Sequence, residues 1–200
     1  MKITFKTVLI IFIALALLRL AELQINAPNY MKAYLDMGQK SAALGQYSDA
    51  IKYYKKAIAK NPKSIKPYYH LALVYEQLNE QENKMKHFKK IVEIGANTDL
   101  LKQHFYDGQS WDLAHAYYEV GKNHVAQENL PMAIRNFELS LNHNIQFTKS
   151  YLELGLVYCQ LNAKEKAFHY LNILKIDTND HESIGVLNLA MRKMHPEWWE

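Results

Sequence analysis

A period of 34 residues runs through this 200-residue chain: the segments that begin at Met31, Ile65, Ala114 and Thr148 superimpose position by position. Counting from each start, position 4 is Tyr34, Tyr68, Tyr117 and Tyr151, and position 7 is Met37, Leu71, Val120 and Leu154. Residues three apart share a helix face, so each unit opens with a helix carrying an apolar stripe. Position 8 is always small (Gly38, Ala72, Gly121, Gly155). Glycine there costs about 1 kcal/mol of helix propensity relative to alanine, which implies a close approach, expected here from a neighbouring backbone. Position 15 is Gly45, Asn79, Glu128 and Asn162, mostly residues that tolerate a left-handed helix stop. Position 20 (Ala50, Lys84, Ala133, Ala167) and position 24 (Tyr54, Phe88, Phe137, Leu171) give the second helix of each unit one small and one large contact. A unit of this kind cannot bury its apolar face alone, so the chain is expected to stack its repeats into one continuous core.

The pattern resembles the tetratricopeptide repeat family, with an aromatic at position 4, Leu-Gly at 7 and 8, Tyr at 11, Ala at 20, an aromatic at 24, Ala at 27 and Pro at 32. Residues Met31 to Ser64 carry it most fully, in Tyr34, Met37, Gly38, Gly45, Tyr47, Ala50, Tyr54, Ala57 and Pro62. The second unit departs at Lys84 and Ile91, and the last two have Ile145 and Asn179 in place of the closing proline. The resemblance implies an all-α fold: a right-handed α-solenoid of four helix-turn-helix units with a concave binding face. Units 1 and 2 would occupy residues 31–98 and units 3 and 4 residues 114–181, followed by a capping helix and tail over 182–200. The amphipathic run His181 to Met194, with Ile184, Leu187, Leu189 and Met191, would be that cap. Seven glycines and five prolines, with no sustained period of two, leave little material for a β-fold.

Residues 99–113 fall outside the period. Leu100, Leu101 and Phe105 could form a short helix, with Asp107-Gly108 turning the chain towards Trp111. A spacer or helical extension that adjusts the solenoid, and a partner-docking loop, are the two readings of such an insertion. The other exception is residues 1–30. Lys2 and Lys6 precede an uninterrupted apolar run of eleven residues, Val8 to Leu18, with Arg19 and Glu22 after it. This reads as an N-terminal hydrophobic helix that contacts membrane through residues 7–21, either as an uncleaved signal anchor or as a cleaved signal peptide; a misleading buried helix is the third reading. In both membrane readings the lysines favour an inside N-terminus, which places the solenoid on the periplasmic or equivalent outer side.

Chemistry has few candidates. Nine histidines are scattered without the three- or four-residue spacing that makes a metal site, and Cys159 is the only cysteine. No phosphate loop, nucleophile elbow or dinucleotide fingerprint is present. Glu76, Glu80 and Glu82 read as solvated helix-end carboxylates. We therefore expect no enzyme, no cofactor and no metal. Nucleic acid is also disfavoured: of the net charge of +4, residues 1–30 supply +2, leaving +2 for the whole array.

Binding is the remaining task. By the resemblance, positions 2, 5, 9 and 12 of each first helix line the groove. Position 2 is Lys32, Lys66, His115 and Lys149; position 5 is Leu35, Tyr69, Tyr118 and Leu152; position 9 includes Leu73, Lys122 and Leu156. Basic rungs beside an apolar floor suit protein or peptide partners of acidic-hydrophobic character, although lysines at helix starts are also what a solvated face contains. Adjacent Trp198 and Trp199 cannot both turn to one side of a helix comfortably, so at least one is expected to be exposed, pinned to a partner or resting on a membrane surface, the alternative being that both fold back on the cap helix. Three roles fit: a membrane-anchored adaptor or accessory subunit of an envelope assembly, a soluble periplasmic or secreted chaperone-like protein, and a self-assembling structural protein in which cap and tail dock onto a neighbour's first repeat.

Overall fold

The computed structural model describes residues 30–97, 109–178 and 180–199. Its helices pair into hairpins: α1 (Tyr30–Ala43) with α2 (Tyr47–Lys60), α3 (Ile65–Gln77) with α4 (Gln81–Asn97), α5 (Gln109–Ala126) with α6 (Leu130–His143), and α7 (Thr148–Gln160) with α8 (Lys164–Ile173). A π-turn at Leu174–Thr178 follows α8, then α9 (His181–Met194) and a 3-10 turn at Pro196–Trp199.

Each hairpin turns in the same way, for a reason visible in the repeat. Position 15 adopts a left-handed backbone, with φ of 71° at Gly45, 57° at Asn79, 58° at Glu128 and 54° at Asn162. Each helix then closes with a matched pair of backbone bonds. In the second hairpin Glu80 donates to Tyr75 O at 2.9 Å and Asn79 to Glu76 O at 3.0 Å, and equivalent pairs close α1, α5 and α7. This double closure satisfies carbonyls that the helix end would leave bare.

The core is shared between consecutive hairpins. Tyr54 and Ala50 of α2 pack with Leu35 of α1 and with Leu71 and Val74 of α3, and the same sharing recurs along the chain. Burying a residue such as Leu71 or Phe137 stabilises by about 2 kcal/mol relative to exposure. The glycines at position 8 admit a side chain and not a backbone, contrary to expectation. A Cβ added to Gly38 would lie 2.5 Å from the Tyr54 ring, and one added to Gly121 would lie 2.6 Å from the Phe137 ring. The glycines are notches for the aromatic at position 24 of the same unit. In the fourth unit Leu171 supplies no ring, and the Gly155 notch is filled by Leu187 of α9, 2.5 Å from the added Cβ.

Four further expectations change. Met37 is 48% exposed, because no described hairpin precedes α1 to cover position 7. The stretch 99–113 is not all insertion: residues 98–108 lie outside the description, but Gln109 to Leu113 form the first turn of α5, with Leu113 buried against Gly95. In α9, Leu187 and Met191 are fully buried while Leu189 is 69% exposed, since it lies on the outward face of the cap. Finally, the tail folds back. Trp198 is buried, stacked on His195 at 4.1 Å and packed near Phe168, so it is not available to a partner as expected; Trp199 stays 39% exposed, with Arg192 over its ring at 4.4 Å. The expected N-terminal membrane helix lies outside the described residues. Among those described, no helix is long and apolar enough to cross a membrane.

Candidate partner-binding groove

Successive first helices lie side by side and touch. Gln39 of α1 meets His70 of α3 at 2.9 Å, the Tyr69 hydroxyl of α3 shares a hydrogen bond with His115 Nδ1 of α5 at 3.0 Å, and the Tyr118 hydroxyl of α5 donates to Glu153 of α7 at 3.5 Å. Consecutive second helices make at most marginal contact. The first helices therefore line the more closely spaced, inner side of the stack.

On that side the expected binding residues separate by depth. Lys32, Lys122 and Lys149 are exposed. Lys66, Leu73, His115, Leu152 and Leu156 are half-buried. Leu35, Tyr69 and Tyr118 are buried between helices, so they form the foundation of the groove and do not offer open contact area. Position 5 sinks in the first three units, where a following first helix packs beside it, while Leu152 in the fourth stays half-buried.

At the centre, Tyr69, His115, Tyr118 and Phe147 pack into one aromatic cluster, and Trp111 caps it. The Trp111 ring lies 5.2 Å from His115 and 5.8 Å from Phe147, yet Trp111 remains 46% exposed. Burial, with Asp112, Glu76 and Glu119 nearby, pushes the Tyr69 phenol up, and burial together with Glu153 and Glu119 does the same to Tyr118. Burial lowers His115, with Lys149 and Lys122 adding to the effect and Glu119 and Glu76 opposing it, so the ring is neutral at pH 7.

Beside the aromatics lies an ion-pair cluster. Lys84 Nζ is 3.1 Å from Glu119 Oε2 and 3.2 Å from Glu76 Oε1, and Lys122 Nζ is 3.5 Å from Glu119 Oε1. Glu76 is thus held by a buried lysine, correcting its reading as a merely solvated carboxylate. Burial would raise Glu119, but Lys122 and Lys84 outweigh it and hold the carboxyl below its usual range. For Lys84 burial acts downwards, and Glu119 and Glu76 more than compensate, so its ammonium is raised. A cleft of about 380 Å³ opens here, lined by Lys84, Glu119, Lys122 and Asn123 among others.

Sequence reasoning passed over Trp111, Glu119 and Glu153. The last two are 34 residues apart at position 6, so the period itself carried the signal. Several histidines are partly packed against the tyrosines of the repeat: His70 stacks on Tyr54, His87 on Tyr75 and His143 on Tyr117. No cluster of three or more metal-binding side chains occurs among the described residues.

Stacked hairpins with an inner face of this kind define a helical-repeat interaction module. Residues 38–79 match a model of the TPR repeat and residues 65–97 a second, tetratricopeptide repeat model, so the chain carries tetratricopeptide repeats. No curated protein matches the sequence significantly. Among solved structures, a MamA protein is similar at 21% identity and a TM-score of 0.59, over 85% of this chain and 88% of that one. YrrB, described as a TPR protein with an unusual peptide-binding site, aligns at 13% identity and a TM-score of 0.58, over 88% of this chain and 92% of its own. A tetratricopeptide repeat protein from Parabacteroides merdae aligns at 15% identity and a TM-score of 0.60, over 84% of this chain and 61% of its own. At these identities the likeness is one of fold.

Proposed function

We propose that this chain is a membrane-anchored adaptor whose stacked first helices hold an extended segment of a partner protein. The observation that carries the binding part is Trp111, a large aromatic left half-exposed over a cluster otherwise closed, with exposed Lys122 and Lys149 on the same inner face. An exposed aromatic on a rigid base is the kind of anchor that dominates interface energetics. The peptide-binding description of YrrB supports the same reading by analogy of fold. Because Glu76, Glu119 and Glu153 stand among the lysines, the partner segment should be apolar with charges of both signs, rather than uniformly acidic.

The anchor rests on the Val8 to Leu18 run, which would confine the solenoid to the membrane surface and raise its effective concentration near membrane partners. Heptapeptides selected on the full chain from a display library should lose about tenfold or more in affinity to Trp111→Ala. Equal affinity for the variant would refute the groove. An intact Met1 in a carbonate-resistant membrane fraction would support the anchor, and a mature N-terminus between Ala14 and Tyr30 in the soluble fraction would replace it with the exported chaperone-like form.

A second reading, self-assembly, is favoured by apolar side chains exposed at both ends: Met37 (48%) and Leu44 (64%) on the first hairpin, Ile176 (80%) and Leu189 (69%) at the cap. Sedimentation that shifts with concentration, and ceases to shift in Leu189→Lys, would establish it.

A further inference from the structure

The repeat allows each contact between units to be compared with its counterpart one unit further on. Between the second and third units, Glu119 at position 6 receives the ammonium of Lys84 at position 20 of the preceding hairpin, at 3.1 Å. Between the third and fourth units, position 6 is Glu153, and position 20 of the preceding hairpin is Ala133. Position 12, where Glu76 shares the same lysine, becomes Val125. The carboxylate is thus repeated and its cation is not. Among the described residues, the hydrogen bond Glu153 receives is that from the Tyr118 hydroxyl, long at 3.5 Å. Burial raises the Glu153 carboxyl and Glu119 adds to the rise, while Lys122 and the Tyr118 bond oppose it without reversing it. The rise marks a carboxylate with too little positive charge around it, in contrast to the lowered Glu119.

We propose that Glu153 is a subsite for a lysine or arginine side chain of the bound segment, whose cation takes the place that Lys84 fills internally one unit earlier. Half-buried Leu152 and Leu156 of the same helix leave apolar surface for an alkyl stem, and the Tyr118 hydroxyl is the neighbouring polar group, with Lys122 Nζ over the Tyr118 ring at 5.3 Å. Lys84 acts as a built-in copy of the ligand group. The proposal rests on the groove being the binding face, and it adds the chemistry of one ligand residue.

Three heptapeptides of leucine and alanine serve as probes, differing only in a central lysine, norleucine or glutamate, with affinity for the full chain read by fluorescence anisotropy. The lysine peptide should bind about fivefold tighter than norleucine, and glutamate weakest. Glu153→Gln, an isosteric change in a half-buried carboxyl, should keep the fold and abolish the lysine advantage. In a carbon-detected titration, the Glu153 carboxyl should also move to lower pKa when the lysine peptide is added, and not when norleucine is. Equal binding of lysine and norleucine, or a lysine advantage that survives in Glu153→Gln, would overturn the subsite while leaving the groove intact. If Trp111→Ala leaves all three peptides unaffected, the groove itself is refuted, and the subsite with it.

Discussion

Gly121 faces the Phe137 ring so closely that a methyl group there would sit 2.6 Å from Cε1. Gly121→Ala should therefore destabilise by about 1–2 kcal/mol in urea unfolding, because overpacking outweighs the roughly 1 kcal/mol that alanine returns in helix propensity. Lys84→Met leaves Glu119 buried with the exposed Lys122 and the His115 ring as its neighbours, and should cost about 3 kcal/mol at pH 7. The pH dependence follows from the direction of each shift. Glu119 is lowered on folding, so its contribution is present above the ordinary carboxylate range and disappears as pH falls through its folded value; the Lys84→Met deficit should shrink in acid accordingly. His87, lowered to about 4 by burial and by Lys86 and Lys55, is neutral in the fold and takes up a proton on unfolding between about pH 6.5 and 4. His70, His115 and His143 are lowered too, chiefly by burial. The melting temperature should fall as pH drops through that window, and His87→Gln should flatten the fall. An unchanged slope would mean that the imidazole stays accessible to protons in the fold.

At the scale of the element, the hairpin turns were the most legible part, since position 15 has a single job: a left-handed residue that lets the same two backbone bonds close each helix. The position 8 notch was legible as a close approach but not as to what approaches, because only the assembled pair shows the ring of position 24 entering it. The expected groove residues lie on adjacent first helices, but not all at the depth the sequence suggested. Sequence period gives the face, while depth depends on how tightly adjacent helices stack, and Leu35, Tyr69 and Tyr118 disappear into that contact. Trp111 was missed as a groove residue because the period begins at Ala114, whereas α5 begins a turn earlier. The cap has its own test. Leu187 fills the Gly155 notch with no exposure, so Leu187→Ala should cost about 3 kcal/mol and loosen hydrogen-exchange protection in α7 and α8 before α3 and α4. Uniform loosening would show that the hairpins unfold as one unit.

For the whole molecule, the stack turns one row of helices inward and presents there a half-exposed tryptophan among lysines and carboxylates, while Met37, Leu44, Ile176 and Leu189 stay exposed towards its two ends. The resulting division of labour is specific. First helices line the inner face, where we propose that the partner binds, second helices form the outer row, and the proposed address lies in the sequence of residues 1–30. The most direct test is an amide NMR map of the solenoid on addition of the central-lysine heptapeptide. Shifts should gather on α5 and α7, around Trp111, Lys122, Lys149 and Glu153, and leave Glu138 and Lys166 on the second helices unmoved. Shifts concentrated on α4, α6 and α8 would contradict the account, because they would place the partner on the outer face.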